Sequence, residues 1–300
     1  MVARRSASAP GSLMLLGEHA VLHGYPCLVA AINRRVKVEL TPRNDHEVHI
    51  ESALGSLITR HGEFPAAREF RFVLGTLQHI PAAYPDGVNI CIDADMPPTI
   101  GFGTSAAVTV AMVAACTGSN DKSLIMQTAR SIIQSVQGRG SGADVAASTF
   151  GGVVRYKIND ASGTIISRHH HPVTALYCGY KTPTPEVIER VEQTWKHRGA
   201  ERDALFRSMG ELADLDLDDH FGHRLNQAQE LMQTLGVSTP ELDQCIHILR
   251  KSPGILGAKI SGSGLGDCAI GWGEANIDAS LPKSFQLYRL QVDSYGVEIE

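Results

Sequence analysis

Three hundred residues, 43% of them hydrophobic, are enough for one large domain or two smaller ones with a buried core. A net charge of −5 without any basic tract argues against nucleic acid or an anionic membrane surface as a partner. No run nears the ~18 apolar residues of a membrane span, Met1 to Pro10 lacks the apolar centre of a secretory signal, and six cysteines without a Cys-x-x-Cys pair read as reduced thiols of a cytoplasmic protein.

Along the chain, the apolar stretch Leu13–Leu16 runs into a turn flanked by Gly17 and Gly24 that can present Glu18 and His19 to a small polyol or hydroxy acid. Val36–Leu40 alternates at period two and reads as a strand, as does Val48–Glu51. Residues 66–80 have helical spacing, with Phe70, Val73, Leu74 and Leu77 on one face. Val88–Ile92 reads as a strand, and after it comes Pro97–Ala107, PPTIGFGTSAA, then the small-residue helix Ala106–Ala115. Strand, Gly-rich turn and helix start make a phosphate cradle. The free N–H groups of a helix start point at an anion and its dipole favours negative charge. Thr104 and Ser105 add hydroxyls for a phosphate or for a metal ion bound to it. Neither a Walker A sequence nor a dinucleotide fingerprint is present.

A second amphipathic helix is expected over 121–136, followed by a glycine turn and then Asp144 at the start of a short small-residue helix. A carboxylate there can orient an acceptor hydroxyl and take its proton. Val153–Tyr156 reads as a strand. A change of composition puts a boundary near 168, dividing the chain into 1–168 and 169–300. His169–His171 reads as a solvated loop, because consecutive side chains cannot share one face. Beyond it come a strand over 173–180, helices over 185–195, 201–215, 220–235 and 240–249, and a last glycine block, Gly257–Cys268, in which Lys259 precedes Ser261, Gly262 and Ser263. Each local reading has a plain alternative: a tight turn, an Asp capping a helix, a hydrogen-bonded turn histidine, a lysine snorkelling from a strand end.

Three blocks in this order, Ala9–Gly24, Pro97–Ala107 and Gly257–Cys268, resemble the three motifs of the GHMP kinases, and GEHAVLHG is most similar to mevalonate kinases. The resemblance spans nearly the whole chain. It implies an α+β fold with a ribosomal-S5-like N-terminal domain and a ferredoxin-like C-terminal domain, with ATP and Mg2+ as co-substrate and cofactor; a homodimer is compatible with it. It implies ATP over Pro98, Gly101, Phe102, Gly103, Thr104, Ser105 and Ala106, with Ser261, Gly262 and Ser263 beside it and magnesium near Ser105. It implies Asp144 as the catalytic carboxylate, with Ser12, Glu18, His19 and Arg139 around the acceptor. The acceptor it favours is the C5 hydroxyl of mevalonate.

Two departures stand out. Ser12 occupies the place where mevalonate kinases carry a lysine, which leaves Arg139 or Lys259 to supply the charge. Ile133, with Gln134 and Gln137 nearby, stands where they carry a glutamate ligand for magnesium. Gln137 and Gly266-Asp267-Cys268 look more like phosphomevalonate kinases. A phosphomevalonate kinase, a related decarboxylase, and a nucleotide-binding sensor without turnover are the alternative readings.

Overall fold

The computed structural model describes residues 4–97, 100–138, 140–158, 160, 163–277 and 281–300. The N-terminal half is built on strands β1 (Arg5–Leu16), β2 (Cys27–Pro42), β3 (Glu47–Ser52), β4 (Gly55–Arg60), β5 (Val88–Ala94), β6 (Val153–Tyr156) and β7 (Thr164–Ser167). Its helices are α1 (Arg71–His79), α2 (Thr104–Thr117), α3 (Lys122–Gln137) and α4 (Ala143–Phe150). The second half carries β8 (Pro172–Tyr177), α5 (Thr184–Thr194), α6 (Gly199–Ala213), α7 (Phe221–Leu235), α8 (Pro240–Lys251), β9 (Ala258–Ser261), β10 (Cys268–Trp272) and β11 (Gln286–Gln291), and the chain closes with β12 (Glu298–Ile299).

Two sheets result. One runs β12-β1-β2-β5-β3-β4, with β6 also paired to β2 and β7 to β6; the other runs β11-β8-β10-β9 and is antiparallel throughout. The switch between sheets falls between Ser167 and Pro172, but the chain then returns: β12 pairs antiparallel with β1, Ala7 opposite Ile299.

Local chemistry explains the helices that position the site. In α2 Ala106, Ala107, Ala111, Ala114 and Ala115 are all buried, and their small size lets the helix lie close on β1 and β2. Its apolar character all round is that of a core helix. α3 is amphipathic and starts where the Asp121 carboxylate accepts from the Ser123 and Leu124 N–H groups. In α8 Thr239 plays the same part for the Leu242 N–H, with Pro240 at the first helical position.

Three expectations are adjusted. The helix expected from 66 begins only at Arg71, because residues up to Phe70 close as backbone turns after Pro65. Of the histidine tract, His171 is half-buried and stacked on Trp272 with ring centroids 3.8 Å apart. Cys91 is exposed on β5, whereas the other five cysteines are buried free thiols.

Candidate active site

The pairing of β1 with β2 shifts register between Pro10 and Gly11, where Asn33 and Arg34 of β2 are the extra residues, and there β1 meets the turn ahead of α2. A Cβ on Gly11 would lie 2.4 Å from the Phe102 carbonyl oxygen, so glycine is what lets strand and turn touch. The Ser12 N–H donates to that same oxygen at 2.9 Å. Its hydroxyl, turned the other way, donates to Asp144 Oδ1 at 2.8 Å. Asp144 lies in the first turn of α4, which follows Gly142 at φ +86°, and it keeps a partial exposure to solvent. Burial pushes its carboxyl above the ordinary range; the Ser12 hydroxyl and the Lys181 ammonium pull the other way without overcoming it.

The turn itself ends in Gly103, left-handed at φ +66°, and no side chain caps the helix that follows. Ala106 and Ala107 both donate to the Gly103 carbonyl, while the Thr104 and Ser105 N–H groups stand at the first positions, which have no acceptor within a helix. Thr104 Oγ1 is buried with no protein partner. An uncapped helix start of this kind is chemically suited to an anion.

The glycines do something other than expected. A Cβ on Gly101 would fall 2.1 Å from Asp267 Oδ2, and one on Gly103 would fall 2.0 Å from Ser12 Oγ. The positions a side chain would take there are occupied by Asp267 and Ser12. Phe102 is likewise a core anchor, fully buried with its ring edge-on to Tyr288 at 5.1 Å, and the Ala106 N–H is committed to the helix. Of the residues expected around the phosphates, Thr104 and Ser105 have N–H groups at helix positions without an intrahelical acceptor.

The flank of the turn opposite Ser12 was not foreseen. Asp267 Oδ1 accepts the Gly101 N–H at 2.8 Å, and Lys181 Nζ lies 3.0 Å from Asp267 Oδ2. Lys181 and Asp267 come from the loops after β8 and before β10, 86 positions apart in sequence, and only the pairing of these strands brings them together.

Glu18 and His19 lie deeper. Only 4% and 7% exposed, they occupy the seam between the two halves. The Lys259 ammonium, wholly buried, donates to Glu18 Oε1 and to the Ile260 carbonyl. Removal from water lowers the Lys259 pKa, with Glu18 opposing. His19 holds φ +59° and its Nε2 donates to the Ser263 carbonyl at 2.8 Å; burial lowers its pKa, so the ring is neutral near pH 7. Ser261 donates to the Met14 carbonyl at 3.0 Å, a second staple across the seam, and Gly262 faces open space.

Lys259 is thus taken up by Glu18 and is not the charge beside Asp144. Arg139, the other expected cation, and Pro98 lie outside the described residues. Ile133 packs against the core, and Gln134 donates to the Gly138 carbonyl at the end of α3.

This arrangement agrees with what the chain is similar to. The family profile described as GHMP kinases N terminal domain matches residues 71–152, the one described as GHMP kinases C terminal matches 204–280, and a galactokinase galactose-binding signature matches 3–42. The mevalonate kinase of Archaeoglobus fulgidus is 33% identical over 277 residues, which covers 88% of this chain and 91% of that one. The mevalonate kinase of Pyrococcus abyssi is 29% identical, covering 87% and 86%. Among solved structures, that of the Methanococcus jannaschii mevalonate kinase shares the fold with a TM-score of 0.80 at 20% identity, over 96% of this chain and 98% of that one. An uncapped helix start with a carboxylate near it accords with these matches along nearly the whole sequence, which lead to one conclusion: the chain belongs to the GHMP kinases and is an ATP-dependent small-molecule kinase of the mevalonate-kinase-like kind.

Proposed function

We propose that the enzyme phosphorylates the C5 hydroxyl of mevalonate. The observation that carries this reading is the 33% identity to a mevalonate kinase over most of both chains. The geometry supports it: Asp144 is a partly exposed carboxylate, oriented by Ser12, at the edge of the Thr104–Ser105 cradle. In this reading Asp144 orients the hydroxyl and takes its proton, while the start of α2 binds the phosphates. Glu18 and His19 act from behind, fixing the turn that joins β1 to the second half.

The residues fit a magnesium ion held chiefly by the substrate. The Thr104 hydroxyl is buried and unpartnered, Ser105 is its neighbour, and Asp267 is already engaged by Lys181 and Gly101. Such a shell, with phosphate oxygens and water filling most positions, suits this cation, and when bound it would neutralise charge on the phosphates.

Two outcomes are expected. Mevalonate should be used at least tenfold better in kcat/KM than phosphomevalonate, about 1.4 kcal/mol in transition-state binding; the galactose-binding signature over 3–42 makes galactose the third acceptor to assay. Steady-state kinetics with all three decide it, and a preference for either of the others ends the mevalonate reading. The second outcome concerns pH. Asp144 must be ionised to accept a proton, and its pKa is raised by burial. The kcat/KM profile should therefore climb on its acid side with a midpoint above the ordinary aspartate value of about 4. A flat profile from pH 4 upward would remove Asp144 from the proton transfer.

A further inference from the structure

The turn 101–103 is gripped from both sides. On one, a Cβ on Gly103 would meet Ser12 Oγ at 2.0 Å, and Ser12 donates to Asp144. On the other, the Gly101 N–H is held by Asp267, whose second oxygen holds Lys181 at 3.0 Å. The uncapped start of α2 lies between them. The Lys181 side chain is 38% exposed and that of Asp267 14%, so the ammonium is on the solvent side of the pair. It has three N–H donors, and Asp267 takes one. Its charge favours the ionised form of Asp144, against the larger effect of burial there. The segment is also stiff: the Asp267 N–H donates to the Tyr180 carbonyl at 2.7 Å and the Cys178 N–H to the Asp267 carbonyl at 2.9 Å. Asp267 itself sits at φ +76°, a conformation that a non-glycine residue keeps only where its surroundings enforce it.

We propose that Lys181 is a catalytic residue: the cation that contacts the transferring phosphoryl group across the turn from Asp144. The acceptor oxygen forms its bond to the γ-phosphorus as the bond from that phosphorus to the β,γ-bridging oxygen breaks. The electron pair of the broken bond leaves on ADP, and the acceptor proton passes to Asp144. Lys181 stays protonated throughout and balances charge on the γ-phosphoryl oxygens, the kind of fixed electrostatic help on which this reaction depends. Asp267 is its tether. Because the same carboxylate holds Gly101, ammonium and phosphate turn keep one spacing. The charge missing at Ser12 thereby enters from the second half of the molecule. This inference rests on the kinase reading and not on which alcohol is the acceptor.

The test compares Lys181→Met and Lys181→Arg with the parent enzyme, using whichever acceptor the parent phosphorylates. Lys181→Met should lower kcat by about 10²-fold or more, with an unchanged melting temperature, and Lys181→Arg should recover part of the loss. A second measurement needs no acceptor. Calorimetry with magnesium and either AMPPNP or ADP should show Lys181→Met losing about tenfold in affinity for the triphosphate analogue alone. If Lys181→Met keeps kcat within threefold, or loses affinity for both nucleotides equally, Lys181 is not at the transferring group. Failure of the parent to use mevalonate would overturn the acceptor reading and leave the calorimetric comparison to decide on Lys181.

Discussion

Asp144→Asn should lower kcat by about 10²–10⁴-fold, the usual contribution of a positioned base, while affinity for magnesium and AMPPNP stays near that of the parent. The reason is the division of labour around the turn. In the proposed reading the phosphate donors belong to the start of α2, while Asp144 is joined to the turn through Ser12. Asparagine keeps the oxygen that accepts from Ser12, so the geometry survives and the proton acceptor is lost. Stability provides an internal control. The folded-state pKa of Asp144 is raised, so its contribution to stability is full below the unfolded-state pKa and is lost as pH rises through the folded-state value. At neutral pH the ionised carboxylate therefore costs stability, and the neutral asparagine should unfold no earlier than the parent. Turnover near the parent's, in a variant with normal nucleotide affinity, would take the base role away from Asp144. An earlier thermal transition would mean that the loss of activity is partly a loss of fold.

Glu18→Gln should be the most damaging single change to stability. Lys259 is wholly buried and its counter-ion is Glu18. Removing one partner of a buried pair leaves an uncompensated charge and costs about 3–5 kcal/mol, which corresponds to a fall in melting temperature of roughly 10 °C. The companion Glu18→Leu/Lys259→Met double variant removes both charges and should recover most of that loss, since an apolar pair of similar volume is often tolerated in place of an ion pair. Differential scanning calorimetry of the two variants separates these cases. If Glu18→Gln melts within about 2 °C of the parent, the pair is not what holds the seam.

The glycine turn that opens α2 and the amphipathic helices are legible because their signals are local: Gly-Phe-Gly-Thr-Ser at a helix start, or the stripe of Ile125, Ala129 and Ile132 in α3. β1 was not legible as a strand. It is buried on both faces for most of its length, so alternation vanishes, and its pairing slips at Pro10-Gly11 because β2 carries two extra residues, Asn33 and Arg34, opposite that step. Lys181 was invisible for another reason. Among scattered lysines nothing marks it until the pairing of β8 with β10 brings its loop to Asp267. Asp267 had been noticed as part of Gly-Asp-Cys, but its grip on Gly101 spans 166 positions. The pairing of Glu18 with Lys259, across 241 positions, was beyond local reading in the same way.

The return of β12 to β1 has a consequence for the order of assembly. Ser8 lies opposite Glu298, the Asp293 N–H donates to the Ala31 carbonyl, and Arg35 closes on Asp293 at 2.5 Å. The edge of the first sheet is thus completed by residues that are made only after the whole of the second half. During synthesis, which proceeds at about 5–20 residues per second, β1 waits with an open edge while all of the second half is made, and an open edge is a template for wrong pairing. The same adjacency sets Ala7 of β1 against Ile299 of β12, so a short linker leading from β12 into β1, with a new opening cut in the exposed turn between β3 and β4, would let β12 precede β1 and close that edge at once.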